Sequence, residues 1–119
     1  MLERNYADFA WEQTAALLAV DSPTGFTGAA AQWVQNAFSS LGFEAKLTTK
    51  GGVLVDLGGE DENNALLLAA HADTLGAMVS RIKGNGRLTV TPLGGMNANN
   101  AEAENVRVYT RDEIGRAHV

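Results

Sequence analysis

The apolar run Ala65–Ala70, "ALLLAA", constrains the fold more than any other stretch of this chain. It contains no glycine, proline or charge, and His71, Ala72 and Asp73 follow it directly. A strand that is apolar on both faces belongs inside a sheet that helices cover on both sides. The sequence therefore predicts a buried strand whose end carries an imidazole and a carboxylate, two groups that are costly to bury without partners.

The segments before this run predict helices and a hairpin. Apolar residues recur at helical spacing over Tyr6–Val20 and again from Ala30 to Leu41. Thr27 is in place to cap the start of the second helix, and Gly42 to cap its end. Alternating residues over positions 43–57, with "KGG" between two short runs, predict a β-hairpin. Helices, a hairpin and a buried strand together indicate an α/β sandwich.

The remainder of the chain favours β-structure. Ala77–Ile82, Arg87–Pro92 and Val106–Thr110 are predicted to be strands, and Asn85-Gly86 favours a primed hairpin turn. We expect an all-β unit to begin near Met78, because no helical period follows it.

The last seven residues, Glu113–Val119, "EIGRAHV", look like the in-frame translation of a common sequencing adapter. We therefore expect residues 113–119 to be a non-native tail and the natural sequence to stop near Asp112; the alternative is a genuine C-terminal tail.

Composition excludes several classes of function. The net charge is −5 and basic residues do not cluster, so a nucleic-acid partner is not expected. No apolar run approaches the roughly 20 residues that a membrane helix needs, and the polar start is unlike a signal peptide. We therefore expect a cytoplasmic protein with no membrane partner. Cysteine is absent, so any metal must be held by His, Asp or Glu.

His71 and Asp73 are the candidate site residues. Residues two apart in a strand point to the same side, and ligands gather beyond the carboxyl ends of strands in α/β sheets. A metal-bound imidazole usually donates its second N–H to a carboxylate, which fixes its orientation. A His-x-Asp tripeptide alone is also compatible with an imidazole that caps a strand and binds nothing. The loop Ser22–Gly25 is interpreted as a helix stop followed by a helix start, and the alternative is a loop that approaches a substrate.

An ordered set of motifs resembles the N-terminal part of metallopeptidase family forty-two, which includes glutamyl, deblocking and tetrahedral aminopeptidases. The motifs are "SPTG" at 22–25, "LGF" at 41–43, "GGV" at 51–53, "HADTLGAMV" at 71–79, "GRL" at 86–88, "LGG" at 93–95 and "NVRV" at 105–108. The variant "HADTLGAMV" followed by "IKGNGRL" is most similar to members found in bacterial osmoprotectant gene clusters.

The resemblance implies an α/β/α catalytic domain, of which residues 1–77 are the N-terminal part, interrupted by a β-barrel-like insertion that begins over residues 78–112. It implies a homo-oligomeric metallo-aminopeptidase that removes N-terminal residues from peptides with two divalent ions, zinc or cobalt. His71 matches the first metal ligand, and Asp73 the aspartate that orients it. Thr74 departs from the family pattern, which often has an acidic residue there.

The resemblance also implies that the other ligands and the glutamate base lie beyond the inserted domain, so we expect the fragment itself to be inactive. Two alternatives remain open: a non-catalytic α/β module, and an amidase or deacylase of a related dinuclear-metal family.

Overall fold

The computed structural model describes residues 2–61 and 63–119, which divide into two compact units. The first unit ends at Thr74 and the second spans Leu75–Val119. The fold is mixed α/β, with two helices and three two-stranded antiparallel sheets in the described residues. Neither helix in those residues is long and apolar enough to cross a membrane. The assignment of the units to a catalytic domain and an insertion stays a prediction, as do the sandwich and the barrel.

The first unit contains helices α1 (Leu2–Leu18) and α2 (Gly28–Ser40), followed by the hairpin of β1 (Ala45–Leu47) and β2 (Val53–Val55). Both predicted helices and the predicted hairpin are confirmed, although the strands are shorter than expected. Helix α2 packs on the hairpin, and Gln35 Nε2 donates to the Ala45 carbonyl oxygen at 2.8 Å. The most buried apolar residues described are Ala30, Ala31 and Ala45, so the core is small.

The predicted end of helix α2 is confirmed in detail. Gly42 has φ +90°, and its N–H donates to the Ser39 carbonyl while the Phe43 N–H donates to the Phe38 carbonyl. These two bonds form a Schellman motif, which needs a left-handed residue at the glycine position. The Phe38 and Phe43 rings meet edge to face, with centroids 6.4 Å apart. At the other end Thr27 is the N-cap residue, but its side chain makes no capping hydrogen bond.

The prediction of a buried strand over Ala65–Ala70 is wrong for this structure. These residues have no assigned strand, and Leu66, Leu67 and Leu68 are 85%, 76% and 79% exposed. A central strand needs hydrogen-bonded neighbours on its edges. None of the described segments pairs with residues 65–70, so the run lies open although its composition suits burial.

The second unit consists of two hairpins joined by a short 3₁₀ helix, Ala98–Asn100. Strand β3 (Gly76–Ile82) pairs with β4 (Leu88–Leu93), and β5 (Asn105–Tyr109) pairs with β6 (Ile114–His118). The three strands predicted for this region are confirmed. β6 was not predicted, because its residues were interpreted as a non-native tail. Their origin stays a prediction, and their conformation is that of a strand.

The turn between β3 and β4 is not a primed turn. The Lys83 carbonyl accepts a hydrogen bond from the Gly86 N–H, and the Lys83 backbone N–H donates to the Arg87 carbonyl. Only Gly86 of the turn has a positive φ, +82°, whereas a type I′ turn needs two such residues. This is the three-residue alternative, in which a left-handed glycine follows a type I turn. Asn85 instead accepts the Arg87 N–H on its side chain, at 3.2 Å.

Candidate functional site

His71 and Asp73 contact each other at the end of the apolar run. The imidazole Nδ1 lies 3.1 Å from Asp73 Oδ1 and 3.0 Å from the Asp73 carbonyl oxygen. A carbonyl oxygen only accepts hydrogen bonds, so Nδ1 must carry the proton and donate. The neutral ring then keeps its lone pair on Nε2. This is the arrangement expected of a metal-ligating histidine whose second nitrogen is held by a carboxylate.

The two side chains differ in their access to solvent. The His71 side chain is 86% exposed, whereas that of Asp73 is 38% exposed. The imidazole is therefore open to a ligand on its Nε2 side, and its position depends on the hydrogen bonds at Nδ1. Because Asp73 supplies both acceptors for Nδ1, the geometry of the imidazole follows from the geometry of this one residue.

The second oxygen of Asp73 has its own partner, which sequence reasoning missed. Thr24 Oγ1 donates to Asp73 Oδ2 at 2.7 Å across 49 positions of sequence. Donation from a hydroxyl to a carboxylate is charge-assisted and stronger than a neutral hydrogen bond. The sequence predicts that the loop Ser22–Gly25 connects two helices, with an approach to substrate as the alternative. Neither interpretation identifies Asp73 as the partner of Thr24.

Backbone pairing holds the loop against the residue that follows Asp73. The Thr74 N–H donates to the Ser22 carbonyl at 2.7 Å, and Pro23 and Thr74 form an isolated parallel bridge. Ser22 is 1% exposed, and in the part of the chain described here its hydroxyl finds no hydrogen-bond partner. A buried hydroxyl without a partner costs stability, so the contribution of Ser22 comes from its backbone and its close packing.

The hydrogen bond from Thr24 is the largest cause of a lowered pKa at Asp73. Partial desolvation of the carboxyl group opposes it, and the charge and hydrogen bond of His71 add to the lowering from the ordinary value of 3.8. Asp73 is therefore ionised at neutral pH and acts as an acceptor on both oxygens. It is not set up to donate a proton, which fits an orienting role better than that of a general acid.

The described residues do not form a complete metal site. Within 2–61 and 63–119, no group of three His, Asp or Glu side chains is placed to hold a metal ion. A catalytic zinc normally has three protein ligands. The donor set fits a metal at one position only, the Nε2 of His71, and the role of His71 as a ligand stays a prediction.

Comparisons with known proteins agree on one family. A family model described as M42 glutamyl aminopeptidase matches residues 51–117. YhfE of Bacillus subtilis (strain 168), named as an aminopeptidase, is 36% identical over 94 residues, which are 79% of this chain and 27% of that protein. The glutamyl aminopeptidase of Lactococcus lactis subsp. cremoris (strain MG1363) is 30% identical over 102 residues, 85% of this chain and 29% of that protein.

The chain thus spans less than a third of the length of these two relatives. The family match includes His71 and Asp73, whereas Thr24 lies outside it. Since the matched residues make up more than half of the chain, the assignment does not depend on the His-x-Asp tripeptide alone. This chain belongs to the M42 glutamyl aminopeptidase family.

Proposed function

We propose that this chain supplies one metal ligand, His71, and its orienting carboxylate, Asp73, to a dinuclear metal-dependent aminopeptidase. The observation that carries the proposal is the pair of hydrogen bonds at Nδ1, which leaves Nε2 with its lone pair on an 86% exposed side chain. Family membership supports the reaction class, and the names of both relatives contain aminopeptidase. The substrate would be a peptide with a free N-terminus.

The chain's own residues would act before any bond is broken. Asp73 would hold the imidazole plane and tautomer through Nδ1, and His71 would present Nε2 to a divalent ion, zinc or cobalt. Such ions polarise a peptide carbonyl and lower the pKa of bound water. The orienting carboxylate also raises the basicity of its imidazole, and loss of such partners typically costs 10–100-fold in metal affinity or activity.

The remaining ligands and the general base would come from sequence that the relatives have and this chain does not span. We therefore expect the 119-residue chain to be inactive by itself, and the protein that contains it to be an active cytoplasmic homo-oligomer. Two ions per subunit are inferred from the family resemblance. A single imidazole cannot hold two ions, so further ligands are required.

The test uses the complete open reading frame that encodes this chain. His71→Ala should reduce release of N-terminal amino acids from peptides by more than 100-fold, and Asp73→Asn by about 10–100-fold. Asp61→Asn is the matched control, because Asp61 is exposed and its side chain accepts a hydrogen bond from the Asn63 N–H of the same loop. Full activity of the His71→Ala protein would refute the proposal.

The metal content separates the proposal from its alternatives. Mass spectrometry of the metals in the complete protein should give two divalent ions per subunit, and His71→Ala should lower this number. An α/β module without catalysis would hold none. A related amidase or deacylase would hold two ions but would hydrolyse N-acyl substrates in preference to peptides with a free amino group.

A further inference from the structure

We propose that Thr24 is a positioning residue for His71: its hydroxyl fixes the Asp73 carboxylate, which in turn presets the imidazole with its lone pair on Nε2. The inference deepens the proposed function, and it concerns a residue outside the stretch that the family model matches. Three contacts carry it: Thr24 Oγ1 to Asp73 Oδ2 at 2.7 Å, and His71 Nδ1 to Asp73 Oδ1 at 3.1 Å and to the Asp73 carbonyl at 3.0 Å.

A carboxylate held at one oxygen keeps rotational freedom about its last side-chain bond, since that torsion is broad and nearly two-fold. Held at both oxygens, its plane is fixed. In this structure Oδ1 faces His71 and Oδ2 faces Thr24, so the two partners occupy opposite ends of the same carboxylate. The more firmly Thr24 holds Oδ2, the more firmly Oδ1 is aimed at Nδ1.

His71 needs this support because it is an exposed side chain. Its side chain is 86% exposed, and a surface imidazole otherwise samples several rotamers and both tautomers. Asp73 is more enclosed, at 38% exposure, and Thr24 approaches it from a separate loop. The loop therefore orients the carboxylate, and the carboxylate orients the exposed ring.

The loop is shaped to bring the Thr24 hydroxyl to this place. The Phe26 N–H donates to the Pro23 carbonyl at 2.7 Å, which closes a four-residue turn with Thr24 and Gly25 at its centre. Gly25 has φ +86°, as the third position of a type II turn requires. Pro23 restricts the backbone at the first position of the turn. The hydrogen bond from the Thr74 N–H to the Ser22 carbonyl fixes the loop beside Asp73.

The experiment measures the tautomer of His71 in the metal-free chain. The chain is labelled with ¹⁵N-histidine and studied by NMR in the presence of a chelator at about pH 8.5, where an ordinary imidazole is neutral. The His118→Asn variant assigns the two histidine signals. We expect His71 to be mainly the Nδ1–H tautomer, and Thr24→Val to shift the tautomer ratio toward Nε2–H by about threefold to tenfold, the loss expected for one hydrogen bond.

Two further variants make the result specific. Thr24→Ser keeps the hydroxyl donor and should retain the tautomer ratio of the wild-type chain. Thr14→Val is the matched control, because Thr14 is exposed on helix α1 of the same unit and valine and threonine have similar helix propensities. The backbone amide spectrum of each variant shows whether it is folded, and Thr24→Ser tests the proposal even where Thr24→Val does not fold.

A mainly Nε2–H tautomer in the wild-type chain would overturn the proposal, as would an unchanged ratio in folded Thr24→Val or a Thr24→Ser ratio like that of free histidine. None of these outcomes depends on metal or on peptidase activity. An inactive, metal-free complete protein would refute the proposed function and leave the positioning role intact, so the two failures are distinguishable.

Discussion

Replacing Leu66 by alanine tests whether the apolar run of residues 65–70 is unpacked in this chain. A fully buried leucine contributes about 1.5–3 kcal/mol by transfer from water. Leu66 is 85% exposed, so only about 0.2–0.5 kcal/mol of that free energy is realised here. Leu68, at 79% exposure, should retain about 0.3–0.6 kcal/mol. Each alanine variant should therefore lower the unfolding free energy of the chain by less than about 0.6 kcal/mol.

The assay is urea denaturation followed by the fluorescence of Trp11 and Trp33, with the midpoint and slope fitted for each variant. Phe38→Ala is the control for a side chain that does pack. Its ring contacts Phe43 edge to face and is half-buried, so we expect a loss of about 2 kcal/mol. A loss above about 1.5 kcal/mol for Leu66→Ala would show that the run is packed in the chain and would refute the reasoning.

The same substitutions have a different expected result in the complete protein. If the complete protein forms the sandwich that the sequence predicts, the run is a buried strand there, and removal of a buried leucine side chain costs about 2–5 kcal/mol. The contrast between less than about 0.6 and more than about 2 kcal/mol at one residue measures what the additional sequence contributes. Equal small effects in both proteins would contradict the sandwich architecture.

Further predictions concern the loop, the carboxylate and the helix-hairpin contact. Gly25→Ala should lower the unfolding free energy by about 1–2 kcal/mol, because φ is +86° there, whereas Gly59→Ala should change it by less than about 1 kcal/mol; urea midpoints compare the two. The pKa of Asp73 is lowered in the folded chain, so its stabilising contribution is present above its ordinary value of 3.8 and is lost as the pH falls through the lower folded value. In a ¹³C titration of the carboxyl group, Thr24→Val should raise that pKa. Gln35→Ala should cost about 1 kcal/mol in the same urea assay, because its amide donates to a carbonyl of strand β1.

Features that depend on neighbouring residues could be predicted from the sequence. The end of helix α2 is an example, because Gly42 and Phe43 complete hydrogen bonds with residues of the preceding turn. The hairpins β1–β2 and β3–β4 were predicted for the same reason, since a short turn brings together strands that are adjacent in sequence. The turn type between β3 and β4 was predicted wrongly. Asn85-Gly86 is compatible with two loop lengths, and the three-residue loop with one left-handed glycine was adopted.

Features that depend on distant residues could not be predicted. The apolar composition of Ala65–Ala70 is typical of a buried strand, but a strand forms only where another segment hydrogen-bonds to its edges. The site divides in the same way. His71 and Asp73 are two residues apart, so their spacing was informative. Thr24 is 49 positions away from Asp73, and nothing in the tetrapeptide Ser22–Gly25 specifies which segment it meets.

The energetics of loop closure predict that Thr24 is not what docks the loop. Bringing together two residues that are 49 positions apart costs about 3 kcal/mol in chain entropy. This exceeds the net contribution of one hydrogen bond to stability, which is about 0.5–1.5 kcal/mol. The hydrogen bond from the Thr74 N–H to the Ser22 carbonyl and the burial of Ser22 must therefore offset part of this entropy loss. Hydrogen exchange of the Thr74 amide should therefore stay slow in Thr24→Val, and also in Ser22→Ala, which removes only an unpartnered hydroxyl among the described groups. Fast exchange in Thr24→Val would mean that the hydroxyl holds the loop itself, and its effect on His71 would then be a consequence of undocking.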